Sequence, residues 1–265
     1  MPIKKVINST EKYREIAKSL VDRHMLTGRG SNKKLTLNRI SYIKKNLSQL
    51  KISAENMVDI GCGDGSFMEH LIKFGNNFVG ILPTQEEVEV VQKLIKKYDN
   101  IFVMEGLSTE LPFEDESKQF LLCNSVLHSV GFNDEQVKKS LQEFYRVLSN
   151  DGILYVGEIP ELDEMQGRNY GTSFYKYLIW VIRNRGISEF FNQLVHYLKC
   201  FFSKEIYTLQ PTNMYFCPKL EFTQLLHQFG FEVKKICVST NNKTIPLDDT
   251  SIKRRRLDYI CMKNV

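Results

Sequence analysis

The segment Val58-Asp59-Ile60-Gly61-Cys62-Gly63-Asp64-Gly65 constrains this chain more than any other stretch. An apolar run leads into glycines at alternate positions, and an amphipathic segment follows from Ser66. A strand that ends in such a loop and restarts as a helix is part of a βαβ unit. Glycine frees the backbone to turn sharply and lets a ligand approach the main chain closely. The helix N-terminus beyond it offers unpaired N–H groups and a partial positive charge. Ser66 stands where a dinucleotide fingerprint has its third glycine, which disfavours a nicotinamide or flavin site. Taken alone, the loop is also compatible with a tight turn that binds nothing.

The alternation continues downstream. Apolar runs at 56–60, 77–82, 100–104, 119–124 and 152–158 predict strands, and helical periodicity falls near 65–74, 84–98 and 134–148. In the last of these, Leu141, Phe144, Tyr145 and Leu148 share one face. Asn150-Asp151-Gly152 predicts a turn into the next strand. Phe222, Leu225, Leu226 and Phe229 mark a helix stopped by Gly230, before strands near 231–238 and 256–263. Upstream, a helix is predicted over 9–27 after the capping residues Ser9 and Thr10, with a break at Gly28-Arg29-Gly30-Ser31-Asn32. A second helix over 35–50 carries Leu37, Ile40, Ile43 and Leu47 on one face. Residues 161–215 interrupt the pattern and read as a helical insertion.

The residues of the loop, Asp59 to Gly65, resemble motif I of class I S-adenosylmethionine-dependent methyltransferases. The likeness extends in order along the chain. Val79-Gly80-Ile81-Leu82-Pro83-Thr84 is similar to the family's second strand and its end. Glu110-Leu111-Pro112-Phe113-Glu114-Asp115 is similar to the loop before strand four, and Cys123-Asn124-Ser125-Val126-Leu127-His128 to strand four and its trailing segment. Phe144 to Leu148 with Asp151-Gly152 resembles the approach to strand five, Gly230-Phe231 the entry to strand six, and Arg256 to Ile260 the last strand of sugar-type members.

The resemblance implies an α/β Rossmann-like class I methyltransferase fold. Its seven-stranded, mostly parallel sheet has an antiparallel last strand, helices on both faces and a helical insertion. The implied parts are an N-terminal helical lid (1–54), an S-adenosylmethionine-binding core (55–160), the insertion (161–215) and the C-terminal part of the sheet (216–265). The cofactor, S-adenosyl-L-methionine, would lie across the carboxyl ends of the strands. Asp59, Gly61, Cys62 and Gly63 would hold its methionine portion. Leu82 occupies the ribose position, Gly106, Leu107 and Ser108 flank the adenine, and Cys123 and Asn124 lie near the methionine end.

Three positions depart from the family. The acid that ordinarily ends strand two and binds the ribose hydroxyls is Leu82, an acid near the adenine is Leu107, and the opening of strand four is Lys118-Gln119. Leucine accepts no hydrogen bond. Each ribose hydroxyl buried without a partner costs about 1–3 kcal/mol, a loss of about tenfold to a hundredfold in affinity. Glu86, Glu87, Glu105 or Glu110 can substitute, water can serve, or the fold has lost its cofactor and become a binding or regulatory protein.

For chemistry, His128 after strand four and Glu158 at the end of strand five are the candidate bases. Both belong at the strand edge, where a methyl acceptor must lose its proton. The bland readings are a packed histidine and a solvated acid. Tyr13 and Arg14 would close over the site if the first helix is a lid.

Composition narrows the rest. The charge of +5 is mild, compatible with plain solubility or an anionic partner. No C-x-x-C pair is present, so no metal site is expected, and scattered apolar cysteines suggest a reducing, cytoplasmic compartment. The N-terminus lacks the apolar stretch of a signal peptide. Residues 165–204 hold six Lys/Arg against one acid, Glu189, with Trp180 and many other aromatics. That composition suits a substrate cap, a homodimer contact or an anionic membrane surface. Lys253-Arg254-Arg255-Arg256 reads as a solvated turn or a phosphate contact. No nucleic-acid-binding module is recognisable. The expected function is methyl transfer to an oxygen or nitrogen of a small-molecule acceptor, a sugar, nucleotide sugar or lipid among them.

Overall fold

The computed structural model describes residues 9–19, 22–29, 33–128, 133–161, 215–251 and 255–264, with scattered helical positions between 179 and 198. Its elements are α1 (Ser9–Lys18), α2 (Lys33–Gln49), β1 (Ala54–Ile60), α3 (Ser66–Leu71), β2 (Gly75–Leu82), α4 (Gln85–Ile95), β3 (Ile101–Glu105), β4 (Lys118–Asn124), α5 (Asp134–Val147), β5 (Leu148–Pro160), α6 (Lys219–Gln228), β6 (Phe231–Val238), β7 (Thr244–Ile245) and β8 (Arg256–Lys263).

The strands form one sheet in the order β3-β2-β1-β4-β5-β8-β6-β7. Pairs within β3-β2-β1-β4-β5 are parallel, and β8 runs antiparallel to β5 and β6. The expected α/β class is the one found, with the two-residue β7 added at one edge. The central strands are continuous apolar runs because helices cover both faces. Side chains of β4 alternate between two cores: Leu121 and Cys123 pack with α5 and α6, whereas Phe120 and Leu122 pack with α2, α3 and α4. The sequence order reverses between β1 and β4, so the loops at their carboxyl ends diverge and leave a crevice, where such sheets bind ligands.

Two local predictions need correction. The helix expected over 9–27 is broken: α1 ends at Lys18 and a short 3-10 turn spans Arg23–Thr27. The Asp22 side chain accepts from His24 N (2.9 Å), which starts a separately capped turn, and Gly28 ends it at φ 73°. Asn150-Asp151-Gly152 lies inside β5 rather than before it. Asp151 takes φ 59°, and the pairing with β4 slips from Lys118–Leu148 to Phe120–Ile153.

A buried cluster ties α2 to the carboxyl edge of the sheet. Arg39 Nη1 and Nη2 donate to the two carboxylate oxygens of Asp258, at 2.6 and 2.8 Å. Its Nε and Nη2 also donate to Asn124 Oδ1 (3.0 and 2.7 Å), and Nη1 to Ser239 O (3.1 Å). The five N–H groups of the guanidinium therefore all have acceptors. Asp258 also accepts from Tyr155 Oη (2.7 Å), Ser239 Oγ (2.5 Å) and Glu158 N (3.0 Å). Burial disfavours the Arg39 charge, but Asp258 more than restores it, so the guanidinium stays charged. Removing one partner leaves the other charge buried and uncompensated. Arg39→Ala is expected to lower stability by about 3–5 kcal/mol in urea unfolding. A loss below about 1 kcal/mol would show that the cluster does not hold the fold.

Candidate active site

The crevice is a cleft of about 1000 Å³, solvent at its mouth included. One wall is Asp59 at the end of β1 with the loop Gly61-Cys62-Gly63. Others come from Leu82 at the end of β2 with Pro83 and Glu87 beyond it, Gly106 to Ser108 after β3, and Asn124 at the end of β4 with Ser125 and Val126 beyond it. Tyr13 of α1, and Leu26, Thr27 and Arg29 from the turn after it, close the remaining side.

Close packing explains the glycines of the loop. Gly61 has φ 70°, and a Cβ there would lie 2.5 Å from Val126 Cγ2. Gly63 has φ 59°, and a Cβ there would lie 3.0 Å from Leu26 O. The loop is thus held against both the β4 wall and the N-terminal segment. Asp64 sits behind it: Oδ1 accepts from Ser66 N (2.9 Å) at the start of α3, and Arg23 Nε donates to Oδ2 (3.2 Å).

Asp59 is 2% exposed, and its Oδ2 is buried with no hydrogen-bond partner among the described residues. Burial, and then Asp64, raise its carboxyl well above the usual range. A buried carboxylate oxygen left unpaired in a pocket wall is a position for a cationic or hydrogen-bond-donating ligand. The ammonium of S-adenosylmethionine supplies both, so the donor set and the glycine cradle fit that cofactor.

Of the cofactor residues expected from the sequence, Asp59, Gly61, Cys62, Gly63, Leu82, Gly106, Leu107, Ser108 and Asn124 line this one cleft. Cys123 does not. The alternation along β4 turns its side chain into the core, leaving Asn124 to face the pocket. Gln119 lies at the opposite, amino-terminal end of the sheet, where Oε1 accepts from Glu55 N (2.6 Å) at the start of β1. Its departure from the family pattern therefore concerns strand pairing and not the cofactor.

His128 and Glu158 sit beside the cleft at the carboxyl edge but do not line it. Ser125 and Glu158 both take φ 65°, an uncommon conformation for residues with side chains. Burial pulls the Glu158 carboxyl up, but Arg29, Arg39, Arg256 and the Ser125 hydroxyl hold it down at about 2. Arg29 Nη2 makes a short ion pair with it. His128 is buried, with Nε2 3.3 Å from Arg256 Nη1 and 3.4 Å from Ser125 Oγ, and Nδ1 without a partner among the described residues. Burial, then Arg256, lower its pKa to about 3. The edge therefore holds a tied carboxylate and a neutral imidazole.

Tyr13 lines the pocket, whereas Arg14 turns outward to Glu86 (3.5 Å). Sequence reasoning missed Arg29 as a pocket residue; the available signal was an arginine between two glycines in the break before the core. Arg255 pairs with buried Glu161 (2.5 Å), while Lys253 and Arg254 lie outside the described residues. So do most of residues 165–204, Trp180 included. Among the described residues, no helix is long and apolar enough to cross a membrane, and no cluster of three or more His, Cys, Asp or Glu is arranged to hold a metal.

An open α/β sheet of this order, with a glycine loop at the switch point and an acid at the end of β1, is the class I methyltransferase fold. Residues 58–156 match the family described as Methyltransferase domain. The chain is 32% identical over 115 residues to the uncharacterized methyltransferase YcgJ of Bacillus subtilis, covering 41% of this chain and 44% of that one. It is 27% identical over 202 residues to a demethylmenaquinone methyltransferase of Chlorobaculum tepidum, covering 73% of each. The match to the first relative thus spans less than half of its length. Among solved structures, phosphoethanolamine N-methyltransferase 1 of Haemonchus contortus superposes with a TM-score of 0.60 at 16% identity, over 97% of this chain and 50% of that one. Residues 58–156 of this chain thus carry the match to a methyltransferase domain, on a sheet that has the class I methyltransferase fold.

Two outcomes follow from the geometry. Gly61→Ala should cost about 1–3 kcal/mol of stability, because the methyl meets Val126 in a left-handed conformation; thermal denaturation reads this directly. His128 should stay neutral in the folded protein from pH 8 down to pH 5, so its ring resonances should not move in an NMR titration over that range. The unfolded chain takes up that proton below about 6.5 and the folded one does not. The contribution of His128 to stability is therefore whole above that pH and is lost as the pH falls, and His128→Gln should flatten this part of the acid limb.

Proposed function

We propose that this protein binds S-adenosylmethionine in the cleft and transfers its methyl group to a small-molecule acceptor. The observation that carries the reading is the unpaired Asp59 Oδ2 in the pocket wall, beside a loop whose glycines admit no side chain. Asp59 and the Gly61–Gly63 loop hold the amino-acid end, Asn124 flanks it, and Gly106 to Ser108 border the adenine. The bound cofactor supplies an electrophilic methyl on a sulfonium. The protein's part is to hold the acceptor in line with it and to keep water out, the task of Tyr13, Leu26 and Arg29 along the closed side.

Neither candidate base is free to take a proton. Glu158 is held by Arg29, and His128 faces Arg256. This favours an acceptor atom that arrives deprotonated or is nucleophilic without losing a proton first. The demethylmenaquinone and phosphoethanolamine enzymes similar to this chain both act, by name, on small molecules. A sugar acceptor stands beside these chemistries on the likeness of Arg256 to Ile260 to sugar-type members. A cytoplasmic location accords with five buried free thiols, Cys62, Cys123, Cys217, Cys237 and Cys261.

A second reading, a methyltransferase fold that has lost its cofactor and serves as a binding protein, draws on Leu82, which puts an apolar side chain in the pocket wall. Calorimetric titration with S-adenosylmethionine and S-adenosylhomocysteine separates the two. Micromolar binding of both is expected; no heat from either at millimolar concentration would favour the second reading.

A further inference from the structure

We propose that Glu87, on the first turn of α4, anchors the cofactor ribose in place of the strand-end acid that Leu82 has replaced. The inference rests on the reading of the cleft as an S-adenosylmethionine site and assigns one of its contacts to a residue outside the family's usual position.

Leu82 is 2% exposed and offers no acceptor. A ribose bound at the end of β2 must find its acceptor elsewhere or lose about 1–3 kcal/mol for each unpaired hydroxyl. Four acids lie near enough in sequence to serve. Glu105 and Glu110 are exposed and do not line the cleft. Glu86 points outward and pairs with Arg14 and Lys18, both at 3.5 Å. Glu87 lines the cleft next to Leu82 and Pro83 and is 4% exposed.

The local sequence explains how Glu87 reaches the pocket. Thr84 takes an extended conformation and caps α4, its Oγ1 accepting from Glu87 N (3.4 Å). The same hydroxyl donates to Glu87 Oε2 (2.6 Å). This fixes the side chain against the helix start and holds the carboxylate at the pocket wall. The hydrogen bond shown to its carboxylate is the one from Thr84, at Oε2. Burying a carboxylate with one bond and no ion pair within contact is unfavourable, and ligand hydroxyls relieve that cost.

Glu87 is faced by Thr84 and Glu86 of its own turn, by Tyr13 and Arg14 of α1, and by Cys62 of the glycine loop. Burial raises its pKa to about 7 against the pull of Thr84 and Arg14. A carboxylate accepts from two hydroxyls better than the protonated acid does. Cofactor affinity should therefore increase as the pH rises through about 7.

The test is calorimetric titration of the full chain with S-adenosylhomocysteine, and with adenosine and 2′,3′-dideoxyadenosine, which differ only in the diol. The native protein should prefer adenosine by about tenfold or more and bind S-adenosylhomocysteine more tightly at pH 8 than at pH 6. Glu87→Gln should weaken S-adenosylhomocysteine about tenfold, abolish the preference for the diol and remove the pH effect. Adding Leu82→Asp to that variant should restore affinity. Should Glu87→Gln fail to fold, Glu87→Asp, which withdraws the carboxylate by one methylene, should show a smaller loss of the same kind. A folded Glu87→Gln protein with native affinity and diol preference overturns the assignment of Glu87 alone. A native protein that binds S-adenosylhomocysteine but does not distinguish the two nucleosides overturns it as well. No binding of S-adenosylhomocysteine by the native protein overturns both this assignment and the reading of the cleft.

Discussion

The ion pair between Arg39 and Asp258 is the contact on which the carboxyl edge of the sheet depends. It joins α2 to β8, reaches β4 through Asn124 and β5 through Tyr155 and the Glu158 amide, and takes in Ser239 after β6. The N-terminal helices contribute no strand, so their attachment to the sheet rests on side chains. With Arg39 locked, the segment that carries Arg29 is brought over the cleft, and Asn124 has its amide oxygen fully engaged. The geometry of the pocket is thus set partly by a charge pair that need not touch a ligand.

A second constraint is the crowding around the glycine loop. Val126 approaches it from the segment after β4, and the carbonyl of Leu26 approaches from the N-terminal turn. Three segments distant in sequence meet where a side chain would not fit, which leaves main-chain groups and the Asp59 carboxylate as the surface offered to a ligand. Around this cradle, charge is arranged unevenly. Among the described residues Asp59 and Glu87 are buried without contact ion pairs, while the adjoining edge pairs Glu158 with Arg29 and sets Arg256 against His128. The unpaired acids suit ligand groups that bring their own hydrogens or positive charge. The adjoining edge, where cations are prominent, suits negatively charged or electron-rich groups.

The fold and most of the pocket were legible in the chain. The strand at Phe231–Val238 and the last strand at Arg256–Lys263 fall where the apolar runs put them, and nine of the ten expected cofactor residues meet in one cleft. Cys123 missed by one position, because a strand residue's side faces depend on register, and a one-residue difference turns the side chain to the other core. Gln119 looked like a departure in the site and is a backbone contact at the far end of the sheet, since sequence proximity to a motif says little about which end of a strand a residue occupies. The helix across 9–27 failed at Asp22, whose carboxylate competes for a main-chain N–H with continued helix.

The sequence by itself determined the class of architecture, the position of the glycine loop and the identity of Asp59, because hydrophobic periodicity and left-handed turns are local properties of the chain. Tertiary structure alone decided which charges meet. That Glu158 would be held by Arg29, that His128 would face Arg256 and so remain neutral, and that Glu87 among four neighbouring acids would reach the pocket beside Leu82 all depend on segments up to 129 residues apart. Electrostatic state is set by burial and by the nearest charges in space, and neither can be read from the order of residues along a single chain.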